Sequence, residues 1–422
     1  MAERERVLFL YLKTGGGHLS AARALSASLE ERGKADTFLL DGIPDENKLQ
    51  HSIVVDGYSK TGSQDNKIWI FIYEASRWGP LMRLYTALMA WQSGPHIKKF
   101  IQENGITRVV VLHFLLKRAA VRALHSLRKS KEIPVITVIT DPFTPHPLWY
   151  QPPVTDTVVF TDMLYRKTIY WYNYPASRTV IFPPILNRQF ERRASEEEIV
   201  SLKNKYGFSR NKRLILMAGG GDGLPKGINT LRSLAKSSLD IEIAFVSGKN
   251  KEQLKAAKKI VKKTKDKKIT VYGFVDFMYE LMSMADVVIT KGGPATVLET
   301  LMLRKPLILT NYIYGQERGN LDFVKNNQLG HYISSGEEVI EAVRDFISDP
   351  ETYEKAVSRI CRVDIRNGSE KIADFVMEFD KVLPRNIKED DYPRHNPEYR
   401  RMERRNIFTG RRRPVLPSRD FG

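Results

Sequence analysis

The chain has 422 residues, 42% of them hydrophobic and 27% charged, enough for two or three domains of roughly 150 residues and too ordinary a mixture for a wholly disordered or fibrous protein. Lys and Arg number 67 against 49 Asp and Glu, a net charge of +18; such an excess implies an anionic partner, whether a phosphate-bearing substrate, nucleic acid or an acidic membrane surface. The single cysteine, Cys361, excludes an intramolecular disulfide and a cysteine-cluster metal site, and it suits the reducing cytosol.

The charged N-terminus leads directly into residues 7–12, an apolar run read as a first strand. No run approaches the roughly 18 apolar residues of a spanning helix, so any membrane contact is expected to be peripheral. Further strands are expected at 108–112, 135–140, 157–161 and 179–182, then at 214–217, 241–246, 269–271, 287–290 and 307–309. These runs are continuous rather than alternating, as suits strands buried on both faces of a parallel sheet. Helical segments separate them on both sides of about residue 190. The pattern predicts an α/β protein with two doubly wound domains, one at 1–190 and one at 191–350. Helices at 351–383 are expected to pack back toward the first domain. The tail at 384–422 is expected to be mobile; from Arg394 to Gly422 it holds nine arginines against three acidic residues.

Thr14-Gly-Gly-Gly-His18 follows the first strand and opens a helix, so Gly16 and Gly17 present bare backbone N–H groups at the sheet's carboxyl edge, where α/β folds take ligands. The spacing fits neither a dinucleotide fingerprint nor a Walker A loop. His18, at the positive end of the helix, is disfavoured as imidazolium and is a candidate proton acceptor; a tight turn with a surface histidine is the plain alternative. Thr140-Asp-Pro-Phe-Thr-Pro-His-Pro-Leu-Trp149 follows another strand and brings Asp141 and His146 to the same edge. Asp141 is a second candidate base, or simply a helix cap. His113, after a third strand, is expected to face the same cleft.

In the second half, Met217-Ala-Gly-Gly-Gly-Asp-Gly223 and Thr290-Lys-Gly-Gly-Pro-Ala-Thr-Val-Leu-Glu299 each join a strand to a helix, and Tyr314-Gly-Gln-Glu-Arg-Gly-Asn320 follows a third strand. Pro294 suits the first helical position, and Glu299 is placed to accept hydrogen bonds from a ribose diol. Amides and carboxylates in the third loop match the paired donors and acceptors of a sugar. Two helix N-termini directed at one diphosphate would stabilise a departing nucleotide without a metal ion or other cofactor.

These motifs, with Gly273-Phe-Val-Asp-Phe-Met278, resemble monogalactosyldiacylglycerol synthase and the processive diacylglycerol glucosyltransferases of glycosyltransferase family 28. The resemblance spans about residues 5–350. It implies a GT-B fold, a UDP-hexose donor, inversion at the anomeric carbon and diacylglycerol or a related lipid as acceptor. Carried over by position, Phe274 and Val275 border the uracil and Glu299 holds the ribose. Gly219, Gly220, Gly221, Gly293, Pro294, Ala295 and Thr296 lie at the diphosphate. Gln316, Glu317 and Asn320 hold the sugar, and His18 is the base. Leu19, Arg318 and the Phe-Leu-Leu-Lys run after His113 depart from the family pattern. Peptidoglycan N-acetylglucosaminyl transfer and UDP-sugar epimerisation are the alternatives on the same fold.

Two surfaces complete the reading. Residues 249–268 hold ten lysines and two acidic residues, a solvated face or an anionic-lipid contact worth about 1 kcal/mol per basic residue. Residues 68–91 carry Trp69, Trp78 and Trp91 among other aromatics, the pattern of partial membrane insertion or of an ordinary core. The expected location is therefore cytoplasmic, on the inner face of a membrane. A non-catalytic nucleic-acid-binding protein or nucleotide-sugar sensor is the reading of another class; no RNA-module or helix-turn-helix signature supports nucleic acid.

Overall fold

The computed structural model describes residues 4–14, 16–44, 46–47, 67–76 and 79–379. Trp78 and the arginine-rich tail lie outside them.

Two six-stranded sheets form the frame. The first contains β1 (Glu5–Tyr11), β2 (Ala35–Asp41), β3 (Arg108–Val111), β4 (Val135–Val138), β5 (Asp156–Val159) and β6 (Thr179–Ile181) in the order β2-β1-β3-β4-β5-β6. The second contains β7 (Arg213–Ala218), β8 (Ile241–Val246), β9 (Ile269–Tyr272), β10 (Val287–Lys291), β11 (Leu307–Asn311) and β12 (Gly330–Tyr332) in the order β12-β11-β10-β7-β8-β9. Every pairing is parallel. The order reverses between β1 and β3 and again between β7 and β10. At such switch points successive connections leave to opposite faces and open a crevice at the carboxyl ends of the strands.

Alternate residues of each buried strand feed opposite faces. Leu8, Leu10, Val109 and Val111 face the helices Gly79–Glu103 and Phe114–Ser126, while Val7, Phe9, Val110 and Ile136 face the helix Gly17–Glu30. Between the sheets, the helix Glu196–Lys205 starts with a capping box formed by Ser195 and Glu198, which satisfies two otherwise unpaired N–H groups.

The C-terminal helices divide. Pro350–Val363 stays with the second half, through Ala356 and Ile360. Only Ser369–Glu378 returns to the first sheet, burying Ile372, Ala373 and Val376 there. Arg108 fixes its end, donating from Nη1 to the carbonyls of Val376 and Phe379 at 3.1 and 2.6 Å, a favourable place for a cation. The expectation that both helices cross is thus corrected. Two strands also escaped the sequence, β2 and β12. Each is an edge strand paired on one side only, and most of its residues are only partly buried or exposed, so neither reads as a continuous apolar run.

Candidate active site

At the first switch point, the β1 loop delivers His18 and the end of β3 delivers His113, their rings 4.7 Å apart edge to face. His18 is largely buried and its Nδ1 lies 2.9 Å from the Thr140 hydroxyl. Desolvation lowers its pKa to about 4, against an opposing hydrogen bond to the Leu112 backbone, so the ring is neutral at neutral pH. His113 begins the helix Phe114–Ser126 by accepting from Leu115 N at 3.3 Å. Burial, then the neighbouring His18 and His146, hold it well below the ordinary imidazole range. His146 accepts from Leu148 N at 3.2 Å, and its Nε2 lies 2.7 Å from the Ser76 hydroxyl. His113 and His146 both cap helices, and His113 lies beside His18 as expected from sequence.

Asp141 follows β4. Trp149 Nε1 donates to its Oδ2 at 2.9 Å, and the buried Lys117 ammonium holds the Trp149 carbonyl at 2.6 Å. Burial raises Asp141 to about 6, the Trp149 bond acts against it, and the Glu317 charge adds to it. The same loop reaches the second half of the chain, where Thr144 Oγ1 donates to the Gln316 carbonyl at 2.7 Å.

At the second switch point, Gly219–Gly223 turns tightly after β7; a Cβ on Gly219 would collide with the Gly223 carbonyl. The following helix, Gly227–Lys236, starts only after Lys226, which has a left-handed backbone. The helix that the sequence places after this loop is therefore present, its N-cap three residues beyond Gly223. Gly293 is the N-cap of Pro294–Met302, with proline at its start, so Ala295 and Thr296 lie in that first turn with N–H groups unclaimed by the helix. Glu299 sits further along, with no side-chain partner among the described residues, and burial pushes it up to about 8. Phe274 is exposed, with the Lys249 ammonium 5.6 Å from its ring centre; Val275 packs into the adjoining core.

Lys291 ends β10 and bonds Glu317 Oε1 at 2.6 Å, while Ile313 N donates to Oε2 at 2.8 Å. Asn320 Nδ2 donates to the Gly292 carbonyl at 2.7 Å. Gln316 is buried beside them. Thr14 Oγ1, Thr290 Oγ1 and Asn311 Nδ2 are buried without a hydrogen-bond partner among the described residues. Lys291 and Asn311 were not singled out from sequence. Their signal was position: each ends a strand at the switch-point edge.

The aromatic stretch is corrected in orientation. Trp69 Nε1 donates to the Tyr314 carbonyl at 3.2 Å, and Tyr73 packs on Gly315. Both contact the loop that follows β11, Tyr73 buried and Trp69 partly so. Ile68, Phe71 and Ile72 on the helix Lys67–Ala75, and Leu84, Leu88 and Trp91 on the next, are the exposed apolar residues.

Two parallel sheets with facing switch points define a GT-B glycosyltransferase fold. Structures similar to this chain include MurG from Acinetobacter baumannii (TM-score 0.57, 14% identity, 89% of this chain and 100% of that one). Another is Anabaena Alr3699/HepE in complex with UDP and glucose (TM-score 0.54, 12% identity, 89% and 100%). The monogalactosyldiacylglycerol synthase model matches residues 18–174, and the glycosyltransferase family 28 C-terminal domain model matches residues 215–373. The probable monogalactosyldiacylglycerol synthase of Glycine max is 27% identical over 359 residues, covering 83% of this chain and 66% of the relative. The processive diacylglycerol beta-glucosyltransferase of Bacillus licheniformis is 24% identical over 390 residues, covering 91% and 97%. The first half of the chain is thus similar to monogalactosyldiacylglycerol synthases and the second half to the C-terminal domain of glycosyltransferase family 28, with named relatives among the diacylglycerol glycosyltransferases. It spans just under two thirds of the length of the plant relatives.

Proposed function

We propose that this chain is an inverting glycosyltransferase that moves galactose or glucose from a UDP-hexose to diacylglycerol at an anionic membrane surface. The observation that carries the reading is the meeting of two sites across one cleft: the His18 and Asp141 edge of the first sheet, and the Lys291, Glu299 and Glu317 edge of the second. Similarity to the monogalactosyldiacylglycerol synthase of Glycine max and the diacylglycerol glucosyltransferase of Bacillus licheniformis supports diacylglycerol as acceptor, and the UDP and glucose of the Anabaena neighbour support the donor class.

In the proposed reaction the acceptor hydroxyl oxygen attacks the anomeric carbon, the carbon–oxygen bond to UDP breaks, and the hydroxyl proton passes to His18. A neutral imidazole is required, which burial provides; the incoming diphosphate then favours the imidazolium that forms. Asp141 is the alternative proton acceptor. The first turn of Pro294–Met302 receives the developing charge on UDP with N–H groups already in place, without a metal ion. Glu299 accepts from the ribose, and Gln316, Glu317 and Asn320 bracket the sugar.

No helix among the described residues is long and apolar enough to cross a membrane. The exposed apolar side chains of the helices Lys67–Ala75 and Gly79–Glu103 would instead enter the headgroup boundary, where a diacylglycerol hydroxyl lies. Lysines coating the helix Lys251–Lys263 add attraction to an anionic leaflet. The test is UDP release from UDP-Glc or UDP-Gal, with and without diacylglycerol in phosphatidylglycerol vesicles. Release that requires diacylglycerol supports transfer. Turnover independent of acceptor points to epimerisation or hydrolysis and rejects this reading.

A further inference from the structure

The Asp141 loop and the Gln316–Glu317 loop belong to different sheets, yet one side chain is bonded to both. Thr144 donates its hydroxyl hydrogen to the Gln316 carbonyl at 2.7 Å and accepts from the Gly319 N–H at 3.0 Å. The helix Arg318–Asn326 starts at this point with Glu317 in the N-cap position and no side-chain cap of its own. A helix start leaves backbone N–H groups unpaired, and a Ser or Thr hydroxyl is a common partner, ordinarily from the residue just before the helix. Here the hydroxyl comes from the other half of the molecule.

Residue 319 has to be glycine for this contact: a Cβ there would lie 2.6 Å from Phe143 Cβ and 2.8 Å from Thr144 Cγ2. Beside it, Phe143 stacks on Phe323 with ring centres 4.5 Å apart. On its own side the loop is braced by Trp149 on Asp141, by Lys117 on Trp149, and by the Thr161 hydroxyl on the Pro142 carbonyl at 3.2 Å. A braced piece carrying Asp141 is thus joined to the turn carrying Glu317 by the Thr144 hydroxyl, with the Phe143–Phe323 stack beside it.

We infer that Thr144 is a positioning residue, whose hydroxyl caps the donor-loop helix across the cleft and so fixes Asp141 relative to Glu317 during transfer. The inference rests on the proposed reaction for its catalytic consequence but not for the bond. A capped helix start keeps Gln316 and Glu317 in one orientation, and a misplacement of about 1 Å at a reacting centre costs up to roughly 100-fold in rate.

Thr144→Val removes both bonds at nearly constant volume, and Thr144→Ser keeps the hydroxyl. In the full-length chain, hydrogen exchange at the Gly319 amide is expected to be faster in the valine variant and unchanged in the serine variant. With UDP-hexose and diacylglycerol in mixed micelles, the valine variant is expected to lose 10-fold to 100-fold in kcat, with KM for the donor changing less than about 3-fold, and serine is expected to restore the rate. Equal Gly319 exchange in all three proteins, or an unchanged kcat in the valine variant, overturns the inference. A chain that transfers no hexose, yet loses Gly319 protection in the valine variant, refutes the reaction reading and retains the cap.

Discussion

The Thr140 hydroxyl lies 2.9 Å from His18 Nδ1, and the next residue along the chain is Asp141, so one strand end orients one candidate base and carries the other. His18→Ala is expected to leave UDP affinity intact in calorimetry and to lower kcat by roughly 10²–10⁴, the usual worth of a general base. The pH profile separates the two roles. Asp141 titrates at about 6 and His18 at about 4, and each accepts a proton only above its own pKa. A fall in kcat/KM below about pH 6 that disappears in Asp141→Asn assigns the base to Asp141. A profile flat down to about pH 5, with loss of turnover in His18→Ala, assigns it to His18.

Glu299 trades stability for binding. Its folded pKa, about 8, lies above the ordinary carboxyl value, so the folded state holds its proton more tightly than the unfolded chain. That contribution is fully present below about pH 4.5 and is lost as pH rises toward 8. Glu299→Gln should therefore stabilise the unliganded protein by about 1–3 kcal/mol at pH 8, discounted for partial exposure, with no gain at pH 4.5. UDP affinity should fall in Glu299→Ala by about 1–3 kcal/mol, the range for a lost charged hydrogen bond. Thermal melts at the two pH values and UDP titrations check both signs.

Lys291 and Glu317 form an ion pair on the donor side, with Glu317 6% and Lys291 21% exposed. Lys291→Met leaves a buried carboxylate without its cation. A loss of about 1–3 kcal/mol is expected, below the 3–5 of a fully buried pair because Lys291 keeps some solvent. UDP-hexose affinity should fall more than UDP affinity, since the proposed reaction puts the sugar at this turn; equal losses would move its role to the diphosphate. The same account expects EDTA to leave turnover unchanged, and a loss reversed by Mg²⁺ would contradict leaving-group stabilisation by the helix start.

Much of this was legible in the sequence because buried parallel strands are unbroken apolar runs and the loops after them carry glycine, proline and acid. β1 and β7 declare themselves this way, and with them the positions of His18 and Gly219. What escaped lies where burial is one-sided or contacts are long-range. β2 and β12 are edges. The bonds from Thr144 to Gln316 and Gly319, and from Trp69 to Tyr314, join residues far apart in the chain, and no local pattern records them. The helix Lys67–Ala75 misled because it is apolar on nearly every side: its tryptophan and tyrosine contact the loop at Tyr314 and Gly315, and Ile68, Phe71 and Ile72 point out.

Those outward residues make a membrane prediction. Phosphatidylglycerol vesicles should sediment the protein strongly at low salt and partly at high salt, because charge attraction decays over about 8 Å at physiological ionic strength. Neutral vesicles should sediment it weakly. Replacing Leu84, Leu88 and Trp91 together with Ser should reduce the salt-resistant fraction while leaving UDP binding unchanged. Equal sedimentation with neutral and anionic vesicles, insensitive to salt, would reject the electrostatic contribution.

The central claim is transfer of a hexose to diacylglycerol with inversion, and the most direct measurement is the product. The chain is incubated with labelled UDP-Glc or UDP-Gal and diacylglycerol vesicles, and the lipid extract is resolved by proton NMR. The account predicts a diacylglycerol hexoside from at least one donor, with a β-anomeric linkage formed from the α-linked sugar nucleotide. An α-linked product, or a lipid extract free of label with both donors while the protein binds UDP, would contradict it.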